Sequence, residues 1–201
     1  MRVVTRGLLG DLGSPVLQLT DFMSNWIHYL TVPMAGVAAV SAHATVYHSV
    51  ESAQRACFPE GPSFVAADIT LTKAQMRSIE KATGVRVRLN TQRVWRVEQQ
   101  GALAGWFLVD EVLGKHDYIT YALALTPDGA VRSIEVMDYR ENYGYEVRNA
   151  DWRIQFLGKT KADPVQLNAD IKNITGATLS CRHVSEGVKR LLFLHDLVLK
   201  R

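Results

Sequence analysis

Residues 118–138 read YITYALALTPDGAVRSIEVMD. In the first eight, Ile119, Tyr121, Leu123 and Leu125 fall on one side of an extended chain, because successive side chains of a strand point to opposite faces. Thr126-Pro127-Asp128-Gly129 supplies turn residues: proline presets one backbone angle, and glycine accepts the left-handed region. Ala130 to Asp138 then returns with Ile134 and Val136 alternating with polar positions. The stretch predicts an antiparallel hairpin with one face in a core.

Working outward, Thr72 is placed to cap a helix over residues 73–83, and Gly84 suits its C-terminal end. Val85–Asn90 and Arg93–Glu98 read as strands. Gln99 to Ala102 reads as a turn, and Gly105–Val112 as a further strand. On the other side, Arg140–Ala150 is polar and turn-rich with room for a short helix, and residues 151–169 read as mostly irregular. A last helix is expected over roughly 178–199, where Cys181, Val184, Val188, Leu191, His195 and Val198 recur at three and four as one apolar stripe. Helix, strands, helix describes an α+β fold: an antiparallel-rich sheet with packed helices.

The chain has 201 residues, 47% of them hydrophobic and 21% charged, a globular balance with enough apolar material for a sizeable core. Its net charge of +3 comes from 23 basic and 20 acidic residues interspersed along it, without a basic run, so nucleic acid is not an expected partner. The glycine-rich turns of dinucleotide or P-loop sites are missing, and so is a GxSxG nucleophile elbow. Cys57 and Cys181 lie in no metal or haem pattern and read as free or packed thiols. If the protein is exported, a disulfide between them stays open.

Residues 26–44, WIHYLTVPMAGVAAVSAHA, form an apolar stretch interrupted by Pro33 and ending in Ala42-His43-Ala44. This pattern resembles a secretory h-region with its cleavage site, although Arg2 and Arg6 lie far upstream. A start at Met23 would give a segment of ordinary length. Export with cleavage after Ala44 is the favoured expectation, with a membrane anchor or a buried helix as alternatives. The expected organisation is residues 1–44 as signal peptide or anchor, 45–84 as a lead-in loop and helix, and 85–201 as the functional domain.

The chemistry is concentrated in Asp170-Ile-Lys-Asn-Ile-Thr-Gly-Ala-Thr-Leu-Ser180, directly ahead of the last helix. Gly176 and Ala177 let a bulky group approach the backbone. A helix starting at Thr178 offers free N–H groups and the positive end of its dipole to a phosphate. Thr175, Thr178 and Ser180 add hydroxyls. On these residues alone, an ordinary Ser/Thr helix cap is the favoured account, because such caps are common.

Thr175-Gly176-Ala177-Thr178 also matches the S/T-G-A-T motif of the FMN-binding domain family, which includes flavoprotein subunits of the sodium-pumping NADH:quinone reductase and of the Rnf complex. The resemblance extends over about residues 85–195. It takes in Gly114-Lys115-His116-Asp117, Tyr139-Arg140-Glu141, Gly144-Tyr145-Glu146-Val147, Trp152, Gln155-Phe156, Gly158-Lys159 and Gly187-Val188-Lys189-Arg190. In that family a flavin transferase uses FAD to esterify the final threonine of the motif with FMN phosphate, which implies Thr178 as the acceptor here. One position departs from the pattern. The family often has Asp six residues before the modified threonine, where this chain has Lys172, and the nearest acid is Asp170.

The resemblance adds further candidates. Lys115 and His116 are expected either to meet the flavin phosphate or ring, or to form a solvent-facing loop pair. Glu141 and Glu146 are expected to hydrogen-bond flavin edges or to serve as structural ion-pair partners. Tyr139, Tyr143 and Tyr145 stack on the ring or pack in the fold. His195 reads as a packed core histidine, and the histidines at 28, 43, 48 and 183 show no ligand spacing. The function expected is an electron carrier, periplasmic or associated with the extracytoplasmic side of a membrane, with covalent FMN, matured by a flavin transferase and exchanging electrons with a membrane or periplasmic partner. A self-contained exported reductase and a flavin-free scaffold of the same fold are the alternatives.

Overall fold

A computed structural model describes residues 45–46, 48–141 and 144–200 of the chain. The expected signal segment, His28, His43 and Tyr143 lie outside the described residues, as does the side chain of Tyr145.

The predicted hairpin is the centre of the sheet. Strand β6 (Tyr118–Leu125) pairs with β7 (Val131–Tyr139) on one side and with β5 (Ala102–Leu113) on the other. Beyond β5 lies β4 (Thr91–Gln99), which pairs with two short strands, β2 (Ser63–Ala66) and β3 (Ile69–Thr70), while β1 (Thr45–Val46) closes the β7 edge. The order is β1-β7-β6-β5-β4-β2, and every pairing is antiparallel. The α+β expectation therefore holds.

Both faces of the sheet are covered. Val94, Leu108, Leu123 and Ile134 align across four strands. They form one core with helix α2 (Lys73–Thr83) and helix α4 (Thr178–Leu194), through residues such as Ile79, Val184, Val188 and Leu191. On the opposite face Phe107, Ala122 and Ala124 meet helix α1 (Val50–Cys57) and Phe58. Phe58, Phe64, Phe107 and Trp95 pack edge to face there, with centroids 5.6–6.0 Å apart. Burying each large side chain is worth about 1.5–3 kcal/mol, so the two layers together outweigh any single polar contact.

The structure corrects three expectations. Residues 45–68 are not a plain lead-in: Ser49 caps α1 through a bond from the Ser52 amide, 3.2 Å, and β2 follows. Residues 85–90 are not a strand. Two of their amide hydrogens go back to α2, from Val85 to Thr83 Oγ1 and from Val87 to Glu80 Oε1, and Leu89 is left 69% exposed. The segment 151–169 begins with helix α3 (Ala150–Arg153) and a 3-10 turn (Ile154–Phe156), which bury Trp152 and Phe156. Helix α2 starts and stops where expected, with a reciprocal Thr72–Gln75 capping box and Gly84 at φ +73°.

The last helix keeps α geometry to Leu194 and then widens into a π turn, His195–Leu199. The extra residue per turn rotates the stripe, so Leu199 is buried and Val198 only half-buried. His195 is 1% exposed, against Trp106, and is a core histidine as expected. Cys57 and Cys181 are buried free thiols in the two different cores, and no disulfide joins them.

Candidate functional site around the Thr178 helix start

The three long helices begin differently. Side chains of Ser49 and Thr72 cap α1 and α2, whereas α4, with 17 residues the longest, has Ala177 at its cap position and no side-chain cap. Its first-turn amides and the positive end of its dipole are left for another acceptor. Thr178, half-buried, is the first helical residue. Just before it, exposed Gly176 turns the chain at φ +87°, and a Cβ placed there would meet nothing within 4 Å. Thr175 is exposed and Ala177 buried.

The loop leading to Thr178 is fixed from behind. The Trp152 indole N–H donates to the Lys172 carbonyl and the Lys172 amide donates to Gln155 Oε1, both at 2.8 Å. Ile171 is buried, and the Ala177 amide closes a turn onto the Ile174 carbonyl at 3.0 Å. Within this clip Asn173 Nδ2 donates to Thr178 Oγ1 at 2.9 Å.

The acid nearest the motif is committed elsewhere. Asp170 accepts from the Val165 and Gln166 amides and pairs with Lys159 at 2.8 Å. Burial pushes its carboxyl up, but the Lys159 ammonium and the two amides outweigh that and hold it below the usual range. It keeps buried Val165 in the left-handed region at φ +44°, which a β-branched residue rarely adopts.

A second loop packs on the helix start. Gly144, at φ +86°, lies so near Ala177 that a Cβ on it would stand 3.0 Å from the Ala177 Cβ. Tyr139, at the end of β7, is buried, and its hydroxyl meets Ser180 Oγ at 3.2 Å. Glu141 Oε1 accepts from the His116 amide at 2.5 Å and the Asp117 amide at 3.1 Å, so it holds the 114–117 loop.

Farther along α4 a groove of about 560 Å3 opens between the helix, β5 and the 84–93 segment, lined among others by Leu113, Tyr118, His183, Glu186 and Arg190. It begins about 7 Å beyond Thr178 along the helix axis, from the 1.5 Å rise per residue. Arg190 pairs with Asp110 in its wall, and Asp110 also accepts from the Tyr121 hydroxyl at 2.6 Å. Burial opposes the Arg190 charge, but Asp110 more than compensates and raises its pKa. The Tyr121 phenol is pushed well up, by burial first and then by Asp110.

The family model named FMN-binding domain matches residues 114–192, which span both loops, the clip and most of α4. Over this segment the chain is similar to the FMN-binding domain family. The crystal structure of Shewanella oneidensis NqrC is similar at 17% identity and a TM-score of 0.44, over 66% of this chain and 69% of that one, too slight a likeness to carry an argument. No curated protein matches the chain.

The residues of the matched segment fit the phosphate end of FMN: an uncapped helix start, a hydroxyl in its first residue and open space over Gly176. Thr175, Gly176 and Thr178 lie at the accessible side of this helix start, while Ala177 is buried against Gly144. Ser180 lies on the other side of the helix turn, buried against Tyr139, so both of these hydroxyls are spent on each other inside the fold. Burial pushes the Tyr139 phenol up, and the charges of Glu141 and Glu146 add to this. Burial likewise raises the Cys181 thiol, with a smaller push from the Glu146 charge. Lys115 and His116 are exposed on the loop that Glu141 holds. Among the described residues no cluster of His, Cys, Asp and Glu is arranged to hold a metal ion.

Reading the sequence did not find Asn173, nor the parts played by Trp152 and Gln155. Trp152 and Gln155 belonged to the family likeness, but a contact over 17–20 residues leaves no local pattern.

Proposed function

We propose that this protein is an electron-transfer flavoprotein working outside the bacterial cytoplasm, with FMN joined by a phosphoester to Thr178. The observation that carries the reading is the α4 start. The longest helix of the fold opens with a threonine and no side-chain cap, inside the segment matched by the FMN-binding domain model. An anion covalently held at that position would satisfy the first-turn amides and the helix dipole, a stabilisation of about 0.3–1 kcal/mol at an exposed site.

Bound there, FMN supplies one- and two-electron redox chemistry, while the protein sets its place and surroundings. Thr178 would hold the phosphate, Gly176 and Thr175 would border it, and the groove along α4 has room for a ring system. A covalent tether suits a compartment in which free FMN would diffuse away. The signal-like segment at residues 26–44 supports that location. The partners expected are a flavin transferase for maturation and a membrane or periplasmic redox protein.

Lys172, in place of the family's usual Asp, favours a second reading, a flavin-free scaffold with the same fold. Denaturing gels separate the two. Protein made together with a flavin transferase should carry flavin fluorescence through the gel, and Thr178→Ala should not. A dark wild-type band would favour the scaffold.

A further inference from the structure

We infer that Asn173 is a positioning residue for Thr178, fixing the hydroxyl that receives the flavin phosphate. The inference rests on the proposed esterification of Thr178. A threonine hydroxyl has two acceptor sites and one hydrogen. Asn173 Nδ2, 2.9 Å away, fills one acceptor site and restrains rotation of the side chain, leaving the O–H and the second lone pair for the reaction.

Asn173 can do this because its own backbone is restrained on both sides. Lys172 is tied at its amide and its carbonyl by Gln155 and Trp152, and Gln155 is tied in turn by its Nε2 to the Trp152 carbonyl at 3.0 Å. On the other side the Ala177–Ile174 turn closes the loop. The hydrogen bond therefore spans a preformed clip, and little freedom is lost when the transferase engages it. Asn173 also stands beside Lys172, so a polar side chain one residue along faces the acceptor although the usual acid is missing.

In the transfer, Thr178 Oγ1 forms a bond to the flavin-side phosphorus of FAD, and the phosphorus–oxygen bond to the adenylate breaks. AMP leaves with that electron pair, and the hydroxyl proton passes to a base of the transferase. Asn173 takes no proton. It orients the nucleophile before the step, and as a donor it supports the oxygen as its hydrogen departs.

The test follows FMN incorporation by intact mass over time, using purified apoprotein, a flavin transferase, FAD and magnesium. Asn173→Ala should slow incorporation about tenfold, the usual effect of losing one oriented hydrogen bond. Asn173→Asp, nearly the same shape without the amide donor, should slow it comparably. Because Asn173 is exposed, thermal unfolding of both variants should match the wild type. Normal rates in the two variants, with Thr178→Ala unmodified, would overturn the role of Asn173 and leave Thr178 as the acceptor. A wild type that takes up no FMN would overturn the acceptor and the positioning role together.

Discussion

Gly144 and Ala177 touch so closely that a Cβ on Gly144 would stand 3.0 Å from that of Ala177 and 2.8 Å from the Tyr139 hydroxyl. The loop after β7 is thereby pressed onto the start of α4. Gly176, two residues before Thr178, faces open space instead. Both glycines have positive φ, so both substitutions strain the backbone, but only one also collides. Gly144→Ala should cost about 2–3 kcal/mol and Gly176→Ala about 1 kcal/mol in urea unfolding. Equal losses would contradict the close packing.

The buried pair Arg190–Asp110 predicts a different pattern. Both side chains are about nine-tenths buried. Arg190→Met strands a carboxylate whose remaining partner is the Tyr121 hydroxyl, and should cost about 3–5 kcal/mol. Adding Asp110→Leu and Tyr121→Phe should recover most of the loss, because no buried charge or unpaired hydroxyl is then left. A triple variant no more stable than Arg190→Met alone would contradict this account.

His195 makes stability depend on pH. Burial holds its pKa below the ordinary value, with the Pro127 carbonyl, Asp196 and Asp128 opposing and Lys200 adding to the shift. Its folded pKa is therefore lower than its unfolded one near 6.5. Above about pH 6.5 neither state binds the proton. As pH falls below that, the unfolded chain binds it first and stability is lost, down to the folded pKa. The wild type should lose more melting temperature between pH 7.5 and 5.5 than His195→Gln. Parallel curves would contradict the assignment.

Trp152 should control how firmly the motif loop is held. Trp152→Phe keeps a ring in the core but removes the donor to the Lys172 carbonyl, a loss of about 1 kcal/mol. Because Lys172 is exposed, trypsin should then cut after it several times faster in the native protein. An unchanged cleavage rate would show that the indole N–H does not restrain the loop.

The elements legible in the sequence were those with a repeating pattern or a local cap. Strand β6 and helix α2 have the expected bounds, because alternation over eight residues and the Thr72–Gln75 box with Gly84 are both local signals. Helix α1 was missed because its buried residues, Ala53, Gln54 and Cys57, form too short and too polar a stripe. Val85–Asn90 alternates like a strand, yet the Val85 and Val87 amides are claimed by the helix it follows. At the site, the Thr175–Thr178 motif could be read directly. Its support comes from Trp152, Gln155 and Gly144, which only the folded chain brings to it.

The most direct test of FMN attachment at Thr178 is mass spectrometry of the tryptic peptide 173–182 from protein made with a flavin transferase. The peptide contains both Thr175 and Thr178. The account predicts a gain of one FMN less one water, with fragmentation assigning it to Thr178. An unmodified peptide, or one modified at Thr175, would contradict it.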